Sequence, residues 1–384
     1  IIGDIFTLEE RAKMQGLFSG VWGVSSVIGP LVGGFITDRL SWRWVFFINV
    51  PVGIAAAALI GFALVEPPRH EKPSIDYAGA TILTAAVTLL LLVLGEGSTP
   101  ATLLAPRTLA LIAFVAVLFV VFIRIEKRAP EPIVPLVLFR NRVVAVSIGV
   151  GFLAGIAMFA AITFVPLMAQ GVLGATATEA GTFLTPLMLS WVLASIVGGR
   201  LLMHRGSRAL VLAGLALMTI GFGALATFSH ATPRAILYTE LILIGTGLGL
   251  TMLTLLIAAQ HSVPREQLGI TTSLNQFSRT IGGALGVALL GAMLAAGLAA
   301  YSSNPNALVN AEARKHIPPA ELAALQHALE GTLRTIFWTS AAVSAIALGV
   351  SITLPRGKVG SQVHTERMMV AEMTNIDAAH EPEA

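Results

Sequence analysis

Arg279 stands in the uncharged stretch LNQFSRTIGGALG (274–286), about eleven residues beyond the polar break at 260–267. In a helix that is a rise of roughly 16 Å, close to the middle of a bilayer. A guanidinium at that depth costs about 2.5–3.5 kcal/mol on insertion, so it calls for a reason. It lines a substrate path, partners a titrating carboxylate, or serves as a structural cation satisfied by carbonyls and polar side chains. Glu240, in LYTELILIG, lies about one and a half turns from the opposite surface; it exchanges protons there or is an interfacial carboxylate. Glu96, in VLGEGS, ends its apolar run and fits the water boundary as well as a coupling site. Gln170 and Gln260 end VPLMAQ and LLIAAQ, where cavity contact and helix-end solvation compete. Trp22, Trp191, Phe159 and Met188 are candidates for an apolar pocket, against ordinary packing or lipid contact. Trp42 and Trp44 fit an aromatic belt at the membrane surface.

Other chemistries find no support in these residue types. GTGLGL (245–250) and GVGFLAG (149–155) mimic nucleotide-binding glycines, but they lie inside apolar runs with no strand before them. The eight histidines include no pair at helical spacing for a metal, and no Ser–His–Asp set shares a membrane depth. The absence of cysteine removes thiolate metal sites, disulfides and cysteine nucleophiles. Neither an enzyme nor a metal protein is expected.

The elements that position these residues are written in the spacing of charge. Only 12% of the 384 residues are charged, and 55% are hydrophobic. Soluble domains carry about 25% charged residues, so lipid is the solvent implied. Ten apolar runs are long enough to cross roughly 30 Å of hydrocarbon: 14–36, 44–65, 78–95, 106–123, 143–169, 181–202, 209–229, 235–259, 268–299 and 333–354. The fold expected is an all-α polytopic membrane protein. With Glu10–Gln15 inside, the alternating loops and Arg200 put 16 of the 24 Lys and Arg on the cytoplasmic side, including the basic loop 124–142, and the carboxy terminus with them.

Two Pro-rich linkers, 66–77 and 124–142, bracket a possible two-helix hairpin at 78–123. They divide the chain into 1–65, that hairpin, a six-span unit at 143–354 and a tail at 355–384 expected to be disordered. PPAELAALQHALEG, with Pro at its start and Gly at its end, predicts a short surface helix in the 300–332 break. A shift of 253 residues places Gly16, Gly29, Pro30 and Gly33 on Gly269, Gly282, Gly283 and Gly286. Parallel repeats of this kind occur in transporters. SVIGPLVGG (26–34) spaces Gly29 and Gly33 four apart, which lets helix backbones approach closely in lipid. Pro30 there bends the helix at a cost that neighbouring helices offset.

GVWGVSSVIGPLVGGFI (20–36) resembles the antiporter motif of major facilitator superfamily exporters. WRWVFFINVPVG (42–53), IDYAGA (75–80), APEPIVPLVLFRNR (129–142), FVPLMAQGVLGATATEAGTFLTP (164–186) and LNQFSRTIGGALG resemble, in order, the fourteen-span drug:proton antiporter branch. The resemblance covers residues 1 to about 354. It implies a major facilitator-type bundle whose ten spans correspond to helices five to fourteen, with the first four lying before Ile1. It assigns the antiporter-motif packing to Ser25, Gly29, Pro30, Gly33 and Gly34, with Ser25 where the family usually has Gly. GRLLMHRGSR (199–208) resembles the cytoplasmic gating motif, keeping Gly199, Gly206 and Arg208 but carrying Met203 where an Asp is typical.

The resemblance further implies a secondary exporter of amphipathic, drug-like compounds. It would work by alternating access, driven by the proton gradient without a cofactor, in a bacterial inner membrane. Its partners would be the bilayer, the small substrate and protons, with room for a periplasmic adaptor and none for nucleic acid. Export of a metabolite, siderophore or amino acid stands as an alternative on the same fold. A remnant that does not transport is the third reading, because the coupling carboxylate is hard to name among Glu240, Glu96, Asp4 and Asp38.

Overall fold

The computed structural model describes residues 25, 28, 29, 32–37, 39–63, 76–96, 105–299 and 318–355. Its elements are α1 (Trp44–Phe47), α2 (Asn49–Ala63), α3 (Tyr77–Glu96), α4 (Pro106–Glu126), α5 (Arg142–Gly171), α6 (Ala177–Arg205), α7 (Ser207–Leu225), α8 (Arg234–His261), α9 (Leu268–Leu298) and α10 (Pro319–Ser351). Short 3-10 turns lie at Leu136–Arg140 and Arg265–Gln267. Among the described residues every regular element is helical, and nine helices are long and apolar enough to cross a membrane. Most of the expected span at 14–36 lies outside the described residues, as do Trp22, Pro30, the loop 300–317 and the tail from 356; residues 32–37 are helical.

The six helices α5 to α10 share one core. Phe164 from α5, Phe183 and Leu187 from α6, Met218 and Phe222 from α7, Leu241 and Ile244 from α8 and Phe337 from α10 are all buried there. By contrast α2 buries no side chain, and α1 none either. Trp42 and Trp44 are exposed, stacked edge-on against Phe46 and Phe47. The α3–α4 pair packs on itself, with α3 also against α9.

Helix ends are set by local chemistry. Asp76 Oδ1 accepts the Gly79 N–H (2.8 Å) to begin α3. Asn141 Oδ1 accepts the N–H of Val143 (2.9 Å) and Val144 (3.4 Å) to begin α5, while its Nδ2 donates to the Ser262 carbonyl (2.6 Å) just past α8. One side chain thus ties α5 to the end of α8. At the start of α6, Thr176 and Glu179 form a reciprocal capping box at 3.2 and 3.1 Å. Gly206 joins α6 to α7 in a single residue at φ 79°, a backbone region that disfavours any residue with a Cβ.

One expectation is corrected. The predicted surface helix does not stop at Gly331 but continues as the first turns of α10, which runs from Pro319 to Ser351. Leu325, Leu329, Leu333, Ile336 and Phe337 form one continuous buried stripe through that point. The Glu330–Arg334 ion pair (2.7 Å) also spans Gly331. One glycine costs about 1 kcal/mol in a helix, less than a buried leucine returns.

Candidate functional site on α9

Small residues bring α5 and α9 together. A Cβ on Gly282 would fall on the Phe152 carbonyl, one on Gly286 would lie 3.0 Å from Ile156 Cα, and one on Gly155 would strike the backbone of Arg279. Polar groups lie along the same seam. Ser278 Oγ donates to the Ile148 carbonyl (2.8 Å). Asn275 is buried opposite Gly151, and Nδ2 of Asn275 and the hydroxyls of Ser147 and Thr271 are buried with no hydrogen-bond partner among the described residues.

The adjoining face of α9 is different. At 3.6 residues per turn, Thr272, Ser273, Gln276, Arg279 and Thr280 fall within an arc of about 120°. Ser273, Gln276 and Thr280 are exposed, and Arg279 and Thr272 are half-buried. Phe277, bordering the arc about 40° past Ser273, and Leu289, on the opposite side of the helix, are exposed apolar residues suited to lipid. Arg279 donates through Nη2 to the Gln276 side-chain oxygen. Gln260, at the end of α8, donates to Thr272 Oγ1 (2.8 Å). Two residues singled out from sequence, Arg279 and Gln260, therefore border one polar strip on α9. Phe159 of α5 reaches the same strip, because its ring lies where a Cβ on Gly283 would be.

Other candidates lie elsewhere. Glu240 is buried in α8 with no partner for Oε2 among the described residues, and its carbonyl lies 3.1 Å from the Cβ position of Gly221 on α7. It is about twenty residues from Gln260 on the same helix, roughly 30 Å, and makes no ion pair with Arg279. Gln170 Nε2 donates to the Pro166 carbonyl (3.5 Å) one turn back in α5. Glu96 is the last residue of α3, and its side chain and that of Met203 lie outside the described residues. Trp191 and Met188 pack half-buried against the core.

Among the antiporter-motif residues, Gly34 meets a neighbour: a Cβ there would lie 2.6 Å from Thr178 Cα at the start of α6. No described atom comes within 4 Å of a Cβ on Gly29 or Gly33, and Ser25 is exposed. In the gating-motif stretch, Gly199 faces Leu253 at 3.4 Å, Gly206 makes the tight turn, and Arg208 is half-buried in the first turn of α7. The GTGLGL glycines are packing residues. Gly245 and Gly249 abut the Leu187 and Trp191 carbonyls of α6, and Gly247 abuts the Gly214 carbonyl of α7.

Two groupings escaped the sequence reading. Gln276 was three residues from Arg279, a helical spacing that marks it as a neighbour. Glu330 and Arg334 are spaced as an i, i+4 pair, with Arg334 Nε also donating to the Phe228 carbonyl (2.7 Å) and His230 Nδ1 3.8 Å from Glu330. That cluster ties α10 to the α7–α8 turn.

A family model described as Major Facilitator Superfamily matches residues 1–287. The chain belongs to that family. Its relatives are named transporters: the chain is 41% identical over 294 residues to the multidrug transporter protein MdtP of Bacillus subtilis strain 168, covering 77% of this chain and 54% of that protein. It is 32% identical to multidrug resistance protein 3 of the same strain, over 88% of this chain and 70% of the relative. It is 30% identical to the MFS-type efflux pump MFS1 of Arthroderma benhamiae, over 91% of this chain and 69% of the relative. The chain thus spans about half the length of MdtP. A multi-pass membrane protein of a transporter family, rather than an enzyme, is what these matches establish.

Proposed function

We propose that the protein exports amphipathic, drug-like compounds across a bacterial inner membrane in exchange for protons, with its carboxy terminus in the cytoplasm. The observation that carries this reading is the open polar strip on α9. Thr272, Ser273, Gln276, Arg279 and Thr280 would be costly against hydrocarbon, so they belong to a water-accessible path through the bilayer. The relatives named for multidrug transport and efflux support drug-like cargo. The close glycine seam between α5 and α9 lets two helices slide along smooth backbones as the path opens alternately to either side. Glu240, buried in α8 with an unpartnered oxygen, is the described carboxylate suited to take up a proton from the far side.

The test is transport by the purified protein in proteoliposomes under an imposed pH gradient. Gradient-driven flux of amphipathic dyes, collapsed by a protonophore, is the result expected. Glu240→Gln should abolish gradient-driven flux and retain exchange of substrate for substrate. Flux indifferent to the pH gradient would overturn proton antiport, and no flux of any amphiphile would overturn the exporter.

A further inference from the structure

We infer that the group recognised on the α9 strip is an anion: the preferred cargo is an amphiphile bearing a carboxylate or similar acid, held by Arg279 and Gln276 with its apolar body against Phe159. This deepens the exporter reading and rests on it. Three observations carry it.

The first is charge. The ion pairs among the described residues are Glu330–Arg334 and His230–Glu330, both far from Arg279 at the other end of the bundle. Between residues 142 and 351 the chain contains no Asp, and its described Glu residues are Glu179, Glu240, Glu266, Glu321 and Glu330. Glu179 and Glu321 lie in the first turns of α6 and α10, Glu330 in the outer cluster, and Glu266 in the 3-10 turn before α9. Glu240 is on α8, displaced along the helix from the depth of Arg279 by about 20 Å. The strip therefore presents one cation and no described carboxylate. A cationic amphiphile would be repelled there, and an anionic one attracted.

The second is unused hydrogen-bonding capacity. A guanidinium has five N–H donors in a planar fork that matches a carboxylate with two parallel bonds. Arg279 spends one on the neutral Gln276 oxygen, and no other bond from its side chain is made to a described residue. Gln276 keeps its amide N–H groups for the second edge of the same anion.

The third is the shape of the surroundings. Gly155 lets α5 approach the Arg279 backbone closely, and Gly283 leaves the Phe159 ring lying over the strip one turn beyond Arg279. An acid head and an aromatic or aliphatic body separated by about one helical turn, roughly 5 Å, fit that pair.

The experiment uses three versions of one dansyl-labelled amphiphile: the free carboxylic acid, its methyl ester, and a dimethylaminoethyl amide that is cationic at neutral pH. Binding to the purified protein in nanodiscs is read by fluorescence anisotropy, with empty nanodiscs subtracting lipid partitioning. The acid should bind about tenfold more tightly than the ester and more tightly still than the amide. Arg279→Gln should remove that preference while leaving ester affinity within about threefold, and Arg279→Lys should retain part of it. Phe159→Ala should weaken all three probes alike. A thermal melt in the same nanodiscs confirms that each variant is folded. Equal binding of acid and ester by the unaltered protein would overturn the inference. So would an Arg279→Gln variant that is folded yet keeps the preference, or that weakens all three probes equally. The exporter reading fails separately: charge-selective binding without gradient-driven flux removes transport and leaves the anion site. Flux of ester and amide as fast as of acid removes the anion preference and leaves the exporter.

Discussion

The bundle contains two glycine-lined seams that achieve the same closeness and differ in what they open onto. Where α8 meets α6 and α7, Gly245, Gly247 and Gly249 touch backbone carbonyls, with Met218, Leu248 and Ala194 beside them and the hydroxyls of Ser190, Ser195 and Thr251 in the same contact. Where α9 meets α5, Gly282 and Gly286 do the same, but Asn275, Ser278 and Ser147 are buried beside them and Arg279 borders the contact. Close approach between helices in lipid is therefore a general packing device and by itself says nothing about function. What distinguishes the α5–α9 seam is that it opens onto an exposed polar strip with one cation.

The largest effect should come from breaking the α8 seam. A leucine at Gly249 would drive its Cβ into the Trp191 carbonyl, and overpacking of this kind costs about 3 kcal/mol or more. Gly249→Leu should lose the monodisperse folded protein on size exclusion. Gly349→Leu, at a position with nothing within 4 Å, should leave it intact. If both behave alike, the α8 seam is not the rigid half of the comparison.

The polar seam should answer differently, in function before stability. Arg279→Gln is expected to lower flux of the preferred substrate by about tenfold, while the melting temperature stays level or rises because a costly charge is gone. A large fall in melting temperature would make Arg279 a structural cation and erase the contrast. The smallest effect is expected for Ser278→Ala. It removes the 2.8 Å bond to the Ile148 carbonyl, and such bonds between membrane helices average about 0.6 kcal/mol. A loss several times larger, by unfolding in mixed detergent, would mean that the seam's polar groups act as structural glue.

Much of the fold is legible in the sequence. The apolar run at 268–299 is α9 to within a residue, and 235–259 is the body of α8, because the bilayer imposes a length that hydropathy records. The local Pro and Gly signals predict a stop at Gly331, but the leucine stripe that continues to Phe337 carries the helix through it. The site was legible in part. Arg279 stood out by its insertion cost, yet its company did not. Which helix lies beside α9, and that Phe159 reaches over Gly283, depends on how small residues on two distant segments fit, and hydropathy carries no trace of that fit. Gln276 and Thr272 look ordinary until the helical arc joins them to Arg279 and Gln260.

The central claim is that the α9 strip faces water inside a membrane protein. The chain has no cysteine, so single cysteines can be placed without preparing a background. Ser273, Gln276 and Thr280 on the strip, and Phe277, Ile281 and Leu289 on other sides of α9, would each be replaced in turn. Each variant would then be treated in native membranes with a charged, membrane-impermeant maleimide. Labelling at 273, 276 and 280, with protection at 277, 281 and 289, is the result the account predicts. Protection at all six positions, or faster labelling of the apolar set, would contradict it.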